Sequence, residues 1–340
     1  VFEAFQALAT AAQRAAAARQ LEPVAPSAAA TNAVATAKAV ANTVLGRTIA
    51  MRGGTGVSTG DLASGLGLWA QPFGYRARQD MRDGQDGYED RTIGVAIGVD
   101  TAISETTRLG LALAYAATRI NGRDASSGDR TDVKGGTASL YFQYEGRPVY
   151  LVGQVTGGIN HYDGDRRISL TNQVAEADYR GWQLGARLDA GLPMEMGGGW
   201  QVTPMAGLAF VRSHVDGYAE TGAGPLNLRV EDSRNKSLTG SLGGRLSYDR
   251  TTDGTTLTPY LQAVASYDVL GERPQVTASF APGGGSFVTR GAEPARLGAD
   301  LTLGVDVLTS GNLSLAAAYT YSLRDDFRAH GGSLRLRLQY

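Results

Sequence analysis

Cysteine is absent from this 340-residue chain, and histidine occurs only three times. Disulfide staples are therefore excluded, while a lack of thiols suits an oxidising compartment as well as a reducing one. His161, His214 and His330 show no metal-ligand spacing, so neither a zinc site nor any other cofactor is expected. The formal net charge of −1 gives no electrostatic reason for binding nucleic acid. No run of 18 or more strongly apolar residues occurs, which excludes membrane-spanning helices. It does not exclude membrane-spanning strands, because these turn only every second residue toward lipid. No leader with a basic start and an apolar core begins at Val1, and the chain reads as the C-terminal piece of something longer. The stretch Ser237–Ser241 lacks a Gly-x-Ser-x-Gly nucleophile elbow. Gly283–Gly285 leads into no helix that could cradle a phosphate. No catalytic residue is nominated.

What is present in quantity is glycine (46) and tyrosine (15, against 8 phenylalanines), which suits a curved sheet with interfacial aromatics. From Leu66 onward the apolar pattern has period two. In the last ten residues, Leu334, Leu336, Leu338 and Tyr340 share one face of a strand, and Ser333, Arg335, Arg337 and Gln339 share the other. Leu297–Val307 repeats the pattern with Asp300 and Asp306 on the polar face. Two aspartates toward a dry core would be prohibitive without partners. The long polar connections 79–89, 121–132, 163–178, 214–232 and 271–293 alternate with tight turns at 104–107, 145–148, 194–199, 251–255 and 310–312. A meander with long loops at one end and short turns at the other is the layout of an outer-membrane barrel. Counting between connections predicts an all-β, closed antiparallel transmembrane barrel of about twelve strands.

The first sixty residues differ. Val1–Glu22 is Ala-rich with helical spacing, Pro23 and Pro26 interrupt it, and a second helix is expected over about Thr31–Arg52. Gly53–Gly60 reads as a flexible hinge. Residues 1–60 are therefore assigned as a helical linker that runs into the lumen as a slim plug, and residues 61–340 as the barrel.

Several stretches resemble a known family. Gly67–Gly74 (GLWAQPFG) looks like the opening strand of autotransporter β-domains, the translocators of type V secretion, and Glu176–Ala186 resembles their mid-barrel strand. The stretch from Trp200 through Thr203–Leu208 to Val215–Gly222 is the most specific match. Trp69–Phe73, Met81–Gly84, Gly87–Tyr88 and the ending from Gly331 are most similar to rickettsial surface-antigen autotransporters. The resemblance covers roughly 66–340. It implies an outer-membrane translocator of a Gram-negative bacterium that exports an N-terminal passenger to the cell surface and anchors it. The passenger would be an adhesin or antigen. A passive pore, a loop-based adhesin and a rim protease using His161 or His214 are the alternatives, and no enzymatic turnover is expected.

The residue expectations follow. Asp100, Arg187, Asp189, Arg245, Asp300, Asp306, Arg335 and Arg337 should face the lumen, and Asp306→Asn is expected to be mild. Carried over from the resemblance, Leu334, Leu336, Leu338 and Tyr340 would be the signal read by the barrel assembly machinery. Periplasmic chaperones, outer-membrane lipid and the passenger would be the other partners of a monomer. Some autotransporters cut their passenger free at a plug-helix asparagine, a role that Asn32 or Asn42 would have to fill here without the paired-asparagine pattern.

Overall fold

A computed structural model of the chain describes residues 5–6, 8–23, 66–309 and 313–339. The period-two segments form twelve barrel strands: β1 (Leu66–Gln79), β2 (Tyr88–Ala102), β3 (Thr107–Gly122), β4 (Arg130–Glu145), β5 (Tyr150–Ile168), β6 (Gln173–Gly191), β7 (Trp200–Val215), β8 (Ser233–Tyr248), β9 (Thr255–Asp268), β10 (Leu297–Leu308), β11 (Leu313–Arg324) and β12 (Phe327–Gln339). Each pairs antiparallel with its neighbours in sequence, and β1 pairs with β12, so the sheet closes. Closure leaves no edge and satisfies the backbone without water. At the seam the pairing runs from Gly67↔Gln339 to Ala70↔Leu336 and resumes at Phe73↔Ser333. The break falls at Pro72, which has no N–H to donate.

Alternation puts the leucines outside. Leu242, Leu297, Leu303 and Leu334 are more than half exposed, and Leu184, Leu188, Leu301, Leu336 and Leu338 are nearly so. In water such a band would be an aggregation hazard; in lipid it is the outer wall. Exposed Tyr144 and Trp200 lie at the short-turn rim and Tyr267 at the other, as interfacial aromatics do. The twelve-residue strands β10 and β11 reach about 40 Å at about 3.3 Å per residue, enough to cross when tilted.

Two connections at the long-loop end differ from expectation. The stretch 163–178 is mostly strand: β5 and β6, at 19 residues each, continue past the wall and close in a turn at 169–172. Tyr162, Arg166 and Ile168 keep inward parity there, and the aromatic and apolar members let the hairpin go on packing. β11 and β12 are joined by a two-residue turn at Asp325 and Asp326, with Asp326 at φ 56°. Long and short connections thus do not alternate throughout. Over the mouth lies a separate small sheet of four short strands, in the order Phe287–Arg290, Gln275–Phe280, Leu228–Val230, Tyr218–Ala219.

Ahead of the barrel, helix α1 spans Ala11–Arg19, shorter than the predicted Val1–Glu22. Thr10 and Gln13 form a reciprocal capping box that fixes its start (3.1 and 3.0 Å). Ala17 is its one buried residue, because alanines offer little apolar bulk. The helix lies against the loops at the long-loop end rather than inside the wall. The expected plug helix and hinge, and with them Asn32 and Asn42, lie outside the described residues, as does Tyr340.

Leu303→Arg, on the outer face at mid-strand, should destabilise the inserted barrel by about 2–4 kcal/mol, whereas Leu323→Arg near the rim should cost about 0–1 kcal/mol. Denaturant titration of both variants refolded into lipid vesicles checks this. Equal costs would mean that this face does not meet the hydrocarbon.

Candidate functional site: the barrel interior and its mouth

Alternation that sends leucine out sends the polar residues in. Arg187, Asp189, Arg245, Asp300 and Arg335 line one internal cavity, while Asp100, Asp306 and Arg337 are buried on the same inward face. Charges held in a wall backed by hydrocarbon need partners, and most have them at short range. Arg187 forks onto Asp189 two residues along its strand, at 2.6 and 2.9 Å. Arg245 on β8 reaches over β9 to Asp306 on β10 (2.8 Å), its guanidinium resting 3.5 Å from the Tyr260 ring centre. Arg335 Nε donates to Gln71 Oε1 across the seam (2.7 Å).

Asp100 anchors a longer chain. It accepts from Tyr141 Oη (3.0 Å) and pairs with Arg108 (3.4 Å), and Tyr141 in turn accepts from Trp69 Nε1 (2.9 Å). Both rings lie flat on neighbouring strands where only glycine gives room. A Cβ at Gly98 would meet Trp69 at 2.4 Å, and one at Gly110 would meet Tyr141 at 2.2 Å. Sequence reading placed Asp100 inside but missed Trp69, Tyr141, Arg108 and Gln71. The parity of Trp69 and Gln71 within one strand was the available signal.

The mouth is roofed by side chains. Tyr162, Tyr179 and Tyr218 stack with ring centres 4.9 and 4.3 Å apart. Above them Arg166, fully buried, forks onto Glu220 (2.9 and 2.6 Å) and donates to the Leu226 carbonyl (2.8 Å). This pair was not predicted, because 163–178 was read as a loop. Burial pushes the Asp129 carboxyl up to about 6. The Arg167 backbone N–H bonded to it (2.7 Å) and the Arg166 charge pull the other way, while Asp86 and Glu220 add to the rise. Glu22 is likewise raised by burial and by Asp86, against Arg19.

The histidines do not converge. His161 faces Asp178 (3.2 Å); His214 faces Asp216 (3.2 Å) and Asp232 (3.8 Å); His330 bonds Tyr319 Oη (2.6 Å). Among the described residues no cluster of His, Asp or Glu could hold a metal ion. Leu334, Leu336 and Leu338 lie exposed along β12, where Leu336 is flanked by Leu315 and Ala70.

The autotransporter beta-domain family model matches residues 68–320, which hold most of this closed twelve-strand wall. The chain belongs to that family. It is 25% identical over 296 residues to Outer membrane protein B of Rickettsia typhi, covering 84% of this chain and 18% of that protein. To Outer membrane protein A of Rickettsia rickettsii it is 27% identical over 295 residues, covering 84% and 13% respectively. The chain thus spans less than a fifth of these relatives. In structure it resembles the translocator domain of the autotransporter NalP from Neisseria meningitidis, with a TM-score of 0.68 and 18% identity over 92% of this chain and 99% of that one. As an autotransporter β-domain it is an outer-membrane protein.

Asp306 is tied to a buried arginine, a partner that the alternation does not reveal. Asp306→Ala should cost about 3 kcal/mol, as breaking a buried pair from one side does, and Arg245→Met with Asp306→Leu should recover most of it. Unfolding in detergent measures both; a double variant as weak as the single one would show that the pair is not the source.

For Asp129 the folded pKa of about 6 lies above the ordinary 3.8, so ionisation opposes the closed mouth. The roof should be most stable below about pH 4 and lose that stability as pH rises through about 6. Amide exchange at Arg167, corrected for its intrinsic pH dependence, should show this slope, and Asp129→Asn should flatten it.

Proposed function

We propose that the barrel exports the polypeptide ahead of it through its own lumen and then anchors it in the outer membrane. One observation carries this reading: Pro23 is buried among the loops at the long-loop end, while Leu66 begins β1 at the opposite, short-turn end. The described chain thus stops at one end of the barrel and resumes at the other, the placement that a plug segment would require. Residues 1–60 are then the linker and 61–340 the barrel, as the sequence pattern divides them. The paired lining supports the same reading, since salt-bridged charges present a wet wall without stray fields to a passing chain. The similarity to rickettsial outer membrane proteins supports a passenger displayed at the surface, which we read as an adhesin or antigen.

The barrel has no turnover of its own in this reading. His161 and His214 face exposed carboxylates at the rim, where ion pairs are ordinary. Asp100, Asp300 and Arg337 are read with the paired residues as lining. Leu334, Leu336 and Leu338, with Tyr340, are proposed as the strand signal that the assembly machinery binds after chaperone delivery, and the barrel works as a monomer.

A folded-state reporter is not needed to test export. An unstructured tag joined ahead of Val1 should become accessible to protease on intact cells. Deleting residues 1–60 should raise the conductance of the barrel in planar bilayers several-fold. A tag that stays inside, with conductance unchanged by the deletion, would favour a barrel filled by its own loops and sink the translocator reading.

A further inference from the structure

Arg166 has four hydrogen-bond acceptors, and the fourth comes from outside the barrel. Its Nη1 donates to the carbonyl of Gln20 at 2.6 Å. The Gln20 side chain is engaged as well: Nε2 donates to the Ala125 carbonyl (3.0 Å), and Oε1 accepts from Ser169 through its backbone N–H (3.0 Å) and Oγ (2.7 Å). A side-chain amide carries donors and an acceptor on one head group, and Gln20 uses both. Arg19 meets Asp86 at 3.1 Å, whose side chain is almost fully buried. Leu21 packs onto Ile168, Ala175, Ala223 and Leu226, and Pro23 is buried. Four separate loop-end connections thus converge on five consecutive residues.

We propose that the mouth carries a binding site, built around Arg166, for the chain's own segment Arg19–Pro23. It fixes the point at which exported chain stands when transport ends. With the segment docked the Arg166 guanidinium is fully buried, and the Gln20 carbonyl adds a charge-assisted hydrogen bond that favours the docked state. The glutamine gives the site a sequence preference that a plain apolar groove would lack. The site stands on the contacts themselves, and its role for exported chain rests on the export reading.

The absence of cysteine makes the test clean. In the full chain, Arg19→Cys with Asp86→Cys should be joined rapidly by a short bismaleimide, both in outer membranes and after purification and refolding. Gln20→Ala with Leu21→Ala should lower that yield at least tenfold. With Arg19 intact, the same two substitutions should speed trypsin cleavage after Arg19 at least tenfold and leave cleavage after exposed Arg14 unchanged. Heat resistance of the barrel should be the same in every variant; should the pair disturb it, Gln20→Ala alone is read instead. Slow cross-linking in the otherwise native chain, or equal cleavage after Arg19 with and without Gln20 and Leu21, would overturn the site. Docking in refolded barrel that fails to display a tag on cells would leave the site standing and remove the export reading.

Discussion

In hydrocarbon a backbone amide has no water to fall back on, and every other feature of this chain answers to that constraint. The ladder must close, which ties β1 to β12 across most of the sequence, as in the pairing of Gly67 with Gln339. The one interruption is instructive. Pro72 pairs with Val95 on one side and leaves the β12 side open between Ala70 and Phe73. At that level Arg335 reaches Gln71 on the inner face (2.7 Å), so a side-chain bond bridges the seam where the backbone ladder does not.

Closure also dictates where charge can go. With lipid outside, inward parity is the one place for Asp and Arg on a strand, and crowding them there forces pairing. Three solutions occur: a fork within one strand at Arg187–Asp189, a span across an intervening strand at Arg245–Asp306, and the Trp69–Tyr141–Asp100–Arg108 relay. In the relay, aromatic rings occupy volume that glycines at 98 and 110 give up. A wall of this kind is polar without being loose.

The barrel was legible in the sequence because strand parity is a local property: Leu303 and Asp306 can be assigned to opposite faces from the order of letters alone. Pairing across strands was not legible. Nothing near Arg245 in sequence points to Asp306, sixty-one residues on, and nothing near Gln20 points to Arg166. The loop boundaries failed for a related reason. The stretch 163–178 is rich in Asp and Arg, and polarity was taken for irregularity; but outside the membrane a strand no longer needs an apolar outer face, so β5 and β6 extend under the cover of Tyr162, Tyr179 and Ile168. The helix forecast was right about alanine's preference and wrong about extent, since the Thr10–Gln13 box sets the start and Gln20 leaves the helix to meet the loops.

The unequal strands have a geometric result. β5 and β6 are the tallest staves at 19 residues, and β11 and β12, at 12 and 13, are among the shortest. In a ring of twelve these pairs stand diametrically opposite, so the rim slopes like a jug's, with the high back at 169–172 and the lip at 325–326. The segment Arg19–Pro23 leans on the high back. On the export reading proposed above, chain that leaves the mouth beside Arg19–Pro23 would start from the high side of that slope.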